Sequence, residues 1–106
     1  MSAKSTLRVG SLAIAKRTTG VCDVGERGVC YEEYTIGNRP GWSFIFESGR
    51  YDGFSPDEVE LILEITGDIC PDVADYEFQS VGRLMADFRR RRFAPAFQPE
   101  LRATVH

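Results

Sequence analysis

Residues 42–60 read "WSFIFESGRYDGFSPDEVE" and combine a strand pattern, two turn signals and a helix start. Its first seven residues alternate in the way expected of a half-buried β-strand, whose side chains point to opposite faces with a period of two. One face carries Trp42, Phe44 and Phe46, and the other carries Ser43, Ile45 and Glu47. We predict that the three aromatic side chains form the centre of the core.

The second part of the stretch predicts bends followed by the start of a helix. Ser48-Gly49 and Asp52-Gly53 are two turn signals close together, which indicate a tight hairpin or double bend. Ser55 suits an N-cap and Pro56 the first helical position, and Ser55 with Glu58 matches a capping box. The acidic residues of the stretch therefore have local structural roles.

The segment "VELILEITG", residues 59–67, fits two structures. Its alternation suits a strand, whereas the preceding cap and the following Gly67 suit a helix. We favour a helix over residues 56–66. Pro71 then breaks the chain, and "VADYEF", residues 73–78, is predicted as a short closing strand.

The first 40 residues read as strands separated by loops. Residues 10–17, "GSLAIAKR", and 28–36, "GVCYEEYTI", are predicted strands rich in apolar, β-branched or aromatic side chains. Residues 18–28 form the intervening loop, and "GNRPG", residues 37–41, ends the second strand. Together with residues 42–48, these strands give the chain a mainly β character.

The C-terminal part predicts one amphipathic helix and a tail. Apolar residues recur at the i, i+3, i+4 and i+7 positions of a helix over residues 80–93; they are Val81, Leu84, Met85 and Phe88. Pro95 and Pro99 are expected to end the helix. Residues 94–106 are expected to be a loose tail that docks through Phe93 and Phe97.

Length and composition predict a single folded domain. The chain has 106 residues, of which 42% are hydrophobic and 27% charged, and one core is expected over residues 7–78. The apolar run "LAIA", residues 12–15, is too short for a signal peptide, and no run approaches the length of a membrane span. We expect a cytoplasmic protein without membrane contact.

The sequence offers little for catalysis or metal binding. His106 is the only histidine, and Cys22, Cys30 and Cys70 show no Cys-x-x-Cys spacing. Asp52-Gly53 lacks the preceding acids of an EF-hand, and no phosphate-binding glycine loop is present. Of the thiols, Cys22 is the only one placed in a loop. We predict a protein that is not an enzyme and has no metal or cofactor.

Charge is divided along the chain. Residues 47–77 carry ten acidic side chains against one basic, and residues 78–106 carry six basic against two acidic. The basic cluster Arg89, Arg90, Arg91 and Arg92 is the candidate partner-binding site. It predicts a protein partner or self-association through an acidic surface and the basic helix. Phosphate contacts in nucleic-acid binding and simple solvation of the helix end are the alternatives.

These segments together resemble a small SH3-like β-barrel. The resemblance rests on "VGSLAIAKR", "ERGVCYEEYTI", "GWSFIFES" and "YDGFSPDEV", and it covers residues 7 to 66 or 78. The string is also similar to small bacterial proteins of uncharacterised function. The resemblance implies an α+β, mainly β fold of about five strands with a short helix after strand four and an amphipathic C-terminal helix. It also implies a binding module, but Trp42 suits the core better than a peptide groove, and alternation places Tyr31 and Tyr34 on opposite faces of their strand.

Overall fold

A five-stranded antiparallel sheet dominates the computed structural model, which describes residues 7–97. The strands are β1 (Ser11–Ala15), β2 (Arg27–Ile36), β3 (Arg39–Phe46), β4 (Tyr51–Phe54) and β5 (Leu63–Ile69), in the order β4-β3-β2-β1-β5. Helix α1 (Pro56–Ile62) joins β4 to β5, and α2 (Pro71–Ala74), α3 (Val81–Arg89) and α4 (Ala94–Phe97) follow. The prediction of a mainly β α+β domain of about five strands, with a short helix after strand four, is confirmed, whereas α2 and α4 were not predicted. Among residues 7–97, no helix has the length and apolar character needed to cross a membrane.

A tight turn connects β2 to β3. Ile36 pairs with Arg39, which leaves Gly37-Asn38 as a two-residue turn. Gly37 has a φ of 64°, the left-handed conformation that such hairpin turns require and that glycine adopts at little cost. Strand β3 therefore begins within the predicted break at residues 37–41. The predicted bend at Asp52-Gly53 is wrong because both residues lie inside β4.

The capping box at the start of α1 is confirmed. The Ser55 hydroxyl accepts the Glu58 N–H at 3.2 Å, and the Glu58 carboxylate accepts the Ser55 N–H at 2.9 Å. The helix ends at Ile62, and Leu63 is already extended, with φ −118° and ψ 143°. The helix predicted over residues 56–66 is therefore wrong beyond Ile62, where the alternating pattern forms β5 instead.

The closing strand is β5, which pairs with β1, and not residues 73–78. Pro71 starts α2 by occupying its first turn, so the residue that was expected to break the chain begins a helix. The predicted strand over residues 73–78 is wrong because Pro71–Ala74 is helical and residues 75–80 contain no strand.

One face of the sheet holds the predicted aromatic core. Trp42 is 8% exposed, and Phe44 and Phe46 are completely buried. The Phe54 ring meets Phe44 edge-on, with 5.6 Å between the ring centroids. Val59 of α1 packs against the same cluster. The assignment of Trp42, Phe44 and Phe46 to the core centre is confirmed.

The opposite face of the sheet is buried as well. The alternation had predicted a half-buried strand, with this second face in contact with solvent. Val29 and Ile45 have no exposed surface, and they belong to a second apolar cluster. The segment that follows β5 supplies the cover, through Val73 of α2, Leu84 of α3 and Phe93 between α3 and α4, among others. Burial of one such aliphatic side chain is worth about 1.5–3 kcal/mol. The C-terminal helices are thus part of the domain core.

The chain stays packed on the sheet up to Phe97. The helix predicted over residues 80–93 begins after Ser80, whose hydroxyl caps it, but it ends at Arg89. Ala94–Phe97 forms α4, in which Phe97 is 8% exposed. Phe93 and Phe97 are the docked side chains, and the rest of the predicted tail, residues 98–106, lies outside the described residues.

Candidate functional site

A cleft of about 750 Å³ lies between two loops of the sheet and the C-terminal helices. The β1–β2 loop and the β3–β4 turn form one wall, and α3, α4 and their connection form the other. The lining residues are Asp23, Val24, Gly25, Glu26, Glu47, Ser48, Phe88, Arg91, Phe93, Ala94 and Phe97. The volume falls within the range of ordinary ligand pockets in proteins.

Glu26 holds the loop wall together. Its Oε1 accepts the Asp23 N–H at 2.9 Å and a hydrogen bond from Arg50 Nη2 at 3.1 Å. Its Oε2 accepts the Ser48 N–H at 2.9 Å. The side chain is only 8% exposed. One buried carboxylate therefore ties the β1–β2 loop to the β3–β4 turn and fixes the shape of this wall.

The electrostatics of Glu26 match its role as an anchor. Burial alone raises the pKa of this carboxyl group, but the hydrogen bonds from Asp23 and Ser48 and the charge of Arg50 outweigh burial. The pKa of Glu26 therefore lies below its ordinary value of 4.5. The group is a carboxylate at neutral pH, and its oxygens are engaged by the protein's own donors.

The helical wall is aromatic. The Phe88 ring lies 6.4 Å from Phe93 and 6.5 Å from Phe97, measured between ring centroids. Phe93 also meets Tyr76 edge-on at 5.3 Å, so the aromatic group continues into the core that covers the sheet. These phenylalanines form the apolar floor of the cleft, at the base of the helical wall, and the floor belongs to a packed aromatic cluster.

Arg91 stands on the helical wall in an unusual backbone conformation. Its φ is 64°, and the Arg91 N–H donates to Phe88 O at 3.0 Å while the Arg92 N–H donates to Asp87 O at 3.1 Å. This is a Schellman motif, in which glycine usually occupies the left-handed position. The motif ends α3, in place of the predicted termination by Pro95 and Pro99. Arginine at this position costs backbone strain, which is often retained at functional sites.

Three of the predicted partner-binding residues Arg89, Arg90, Arg91 and Arg92 have different surroundings. Helix α3 ends at Arg89, so the four residues do not continue along one helical turn. Arg90 pairs with Asp87 at 3.9 Å, and the Arg92 guanidinium lies over the Tyr76 ring at 5.1 Å from its centroid. Arg91 is the one of the four that lines the cleft.

Other candidate groups have local roles. Asp52 accepts its neighbour's N–H, from Gly53 at 2.8 Å. None of the three cysteines takes part in a disulfide bond, and all three are fully buried, Cys22 included. Burial raises the pKa of the Cys30 thiol to about 12. Within residues 7–97, no three His, Cys, Asp or Glu side chains are grouped so that they could hold a metal ion.

Comparison with family models, curated proteins and solved structures finds no match to this chain. The cleft is therefore assigned as the candidate site from the geometry of this chain alone. Sequence reasoning missed the cleft because its walls come from segments far apart in the chain. Two features of the sequence could have indicated the cleft: Val24, an apolar residue in a polar loop, and the phenylalanines that follow the arginine cluster. Val24 is 64% exposed in the structure.

Proposed function

We propose that the protein is a non-enzymatic binding or scaffold module of the SH3-like barrel type, that it works in the cytoplasm, and that the cleft is its binding surface. The strand order β4-β3-β2-β1-β5, with a single helix between β4 and β5, supports the SH3-like assignment. In this arrangement β1 to β4 pair in succession as antiparallel neighbours, and the last strand, β5, pairs with the first, β1. Because fold alone does not define function, the cleft carries the proposal.

The proposal that the cleft binds a partner is supported by its aromatic floor, which lies beside a loop wall that the hydrogen bonds of Glu26 already hold in place. An apolar pocket with a few ordered polar groups is the usual form of a binding site, and a wall that is already ordered lowers the entropy lost on binding. The exposed rim carries the acidic residues Asp23 and Glu47 on one side and Arg91 on the other. The ligand that fits is a protein segment with an apolar side chain flanked by charge.

Nucleic acid is the weaker candidate for the arginine cluster. Phosphate binding requires several basic side chains that reach one backbone. Here Arg90 pairs with Asp87, Arg92 stacks on Tyr76, and Arg91 faces the cleft. The basic helix end instead faces the acidic loop wall across the cleft, and self-association through oppositely charged surfaces remains part of the proposal.

Selection of displayed random peptides on the purified protein tests this function. Peptide affinity is then measured by titration calorimetry on Val24→Arg, at the cleft rim, and on Leu61→Arg. Leu61 lies in α1 and is 54% exposed, so the second variant makes the same exposed change away from the cleft. We expect Val24→Arg to weaken binding at least about tenfold, as loss of an interface anchor does, and Leu61→Arg to bind as the wild type. Equal affinities for both variants would refute the cleft as the binding surface.

A further inference from the structure

The hairpin between β2 and β3 extends beyond the strands beside it. β1 pairs with β2 only over Arg27–Val29, and β4 pairs with β3 only from Trp42 onward. The pairs from Tyr34↔Gly41 to Ile36↔Arg39 therefore form a two-stranded arm, about 10 Å long at roughly 3.3 Å per residue. The arm lies beside the start of α1, where Ile36 and Arg39 line a small hollow together with Ser55 and Glu58. Residues 35–40 are all exposed.

The tip of this arm combines an apolar and a basic side chain. Ile36 is 72% exposed, and Arg39 is its direct partner across the two-residue turn. A single exposed isoleucine is common on protein surfaces and by itself indicates nothing. Its meaning depends on whether the same molecule offers a surface that fits it.

The cleft is such a surface. Its floor offers Phe88 and Phe97 to an apolar group, and its loop wall offers the Glu47 carboxylate to a cation, whereas Asp23 is already paired with Arg50 at 3.3 Å. We infer that the hairpin tip of one copy docks in the cleft of a second copy, with Ile36 on the phenylalanines and Arg39 beside the acidic wall. This inference rests on the proposed function of the cleft and names its partner.

The tip cannot reach the cleft of its own chain. The tip begins at Arg39, the first residue of β3, and the cleft is lined by Glu47, directly after the last. The eight residues of β3 separate the two by about 25 Å. Each copy therefore offers one tip and one cleft at opposite ends, which produces head-to-tail association into chains or rings.

The contact is small, so association is expected in the weak range typical of small interfaces. Sedimentation velocity from about 10 μM to about 1 mM protein should show the average sedimentation coefficient rising with concentration. Added salt should lower the association because it screens Arg39 from the acidic wall. A protein that remains monomeric at the highest concentration in low salt would overturn the inference.

Two variants give the decisive test. Ile36→Asp removes the tip and keeps the cleft, whereas Val24→Arg blocks the cleft and keeps the tip; both positions are exposed. Each variant alone should be monomeric, and an equimolar mixture should form a one-to-one dimer and nothing larger. Leu61→Arg should associate as the wild type does, and Arg39→Glu serves as a second tip variant that should weaken association at least about tenfold.

The outcomes separate this inference from the proposed function. If the mixture of Ile36→Asp and Val24→Arg stays monomeric, the inference is wrong. In that case the selected peptides still test the cleft, because Ile36→Asp should bind them at least as tightly as the wild type. If the peptides also fail to distinguish Val24→Arg from Leu61→Arg, the proposed function falls as well.

Discussion

Replacing Glu26 with glutamine should loosen the loop wall of the cleft. The carboxylate accepts hydrogen bonds from the Asp23 and Ser48 N–H groups and from Arg50. A glutamine side chain has one acceptor oxygen, so its amide nitrogen would face an N–H donor that it cannot satisfy. An unsatisfied buried donor costs about 1–3 kcal/mol. We expect the free energy of unfolding at pH 7 to fall by about 2 kcal/mol, and the melting temperature by roughly 9 °C in a domain of this size.

The effect should depend on pH in a defined direction. The pKa of Glu26 is lowered in the folded state from an ordinary value of 4.5. Its ionised form therefore contributes stability that is fully present above pH 4.5 and is lost as the pH falls through the folded-state pKa. The difference between wild type and Glu26→Gln should be constant near neutral pH and should shrink below pH 4.5.

Urea denaturation followed by the fluorescence of Trp42 measures this difference. Trp42 is the only tryptophan and lies in the core, so its emission reports global unfolding. Glu64→Gln is the matched control because Glu64 is exposed on β5, and it should change stability by less than about 0.5 kcal/mol. A Glu26→Gln protein as stable as this control at pH 7 would refute the role assigned to Glu26.

Three further substitutions test other parts of the structure. Ser55→Ala removes the capping box of α1 and should cost about 1 kcal/mol in urea denaturation. Arg91→Gly relieves the left-handed backbone at the end of α3 and should raise stability by up to about 1 kcal/mol, while titration calorimetry should show weaker binding of the selected peptides. Phe93→Ala should cost about 3–5 kcal/mol by thermal unfolding because Phe93 is 1% exposed; a loss below about 1 kcal/mol would contradict the packing of the C-terminal helices on the sheet.

Local signals in the sequence predicted local structure well. The alternation around Phe44 identified a strand, and Ser55 with Glu58 identified a helix start, because each pattern is satisfied by neighbouring residues. The segment after Glu58 follows a helix cap but has the alternation of a strand. The structure contains a helix and then a strand in succession. The change occurs at Leu63, where pairing with β1 outweighs further helix formation. A single sequence gives no information about that partner strand.

Two failures have a common physical cause, which is contact between distant segments. The turn signal at Asp52-Gly53 was misread because Gly53 is needed for packing: a Cβ there would overlap the hydroxyl of Tyr34. Tyr34 reaches that position because Tyr31 is the additional residue of a β-bulge in β2, which shifts the alternation of the strand. Tyr31 and Tyr34 therefore lie on the same face and not, as alternation indicates, on opposite faces.

The candidate site was only partly accessible to sequence reasoning. The arginine cluster was recognised, but its division among Asp87, Tyr76 and the cleft depends on where α3 ends. The burial of Ile45 on the second face had one signal in β3, the short apolar run Phe44-Ile45-Phe46 that is typical of a strand covered on both sides. The polar Ser43 and Glu47 on the same face as Ile45 obscured this signal. The cleft exists only once the helices cover that face.

The most direct test of the binding cleft is chemical-shift mapping of ¹⁵N-labelled Ile36→Asp protein titrated with a selected peptide. The cleft predicts that the largest changes occur at residues 23–26, at residues 47–48 and between residues 88 and 97. Changes concentrated on the acidic edge formed by α1 and β5, residues 56–69, with the cleft residues unaffected, would contradict it.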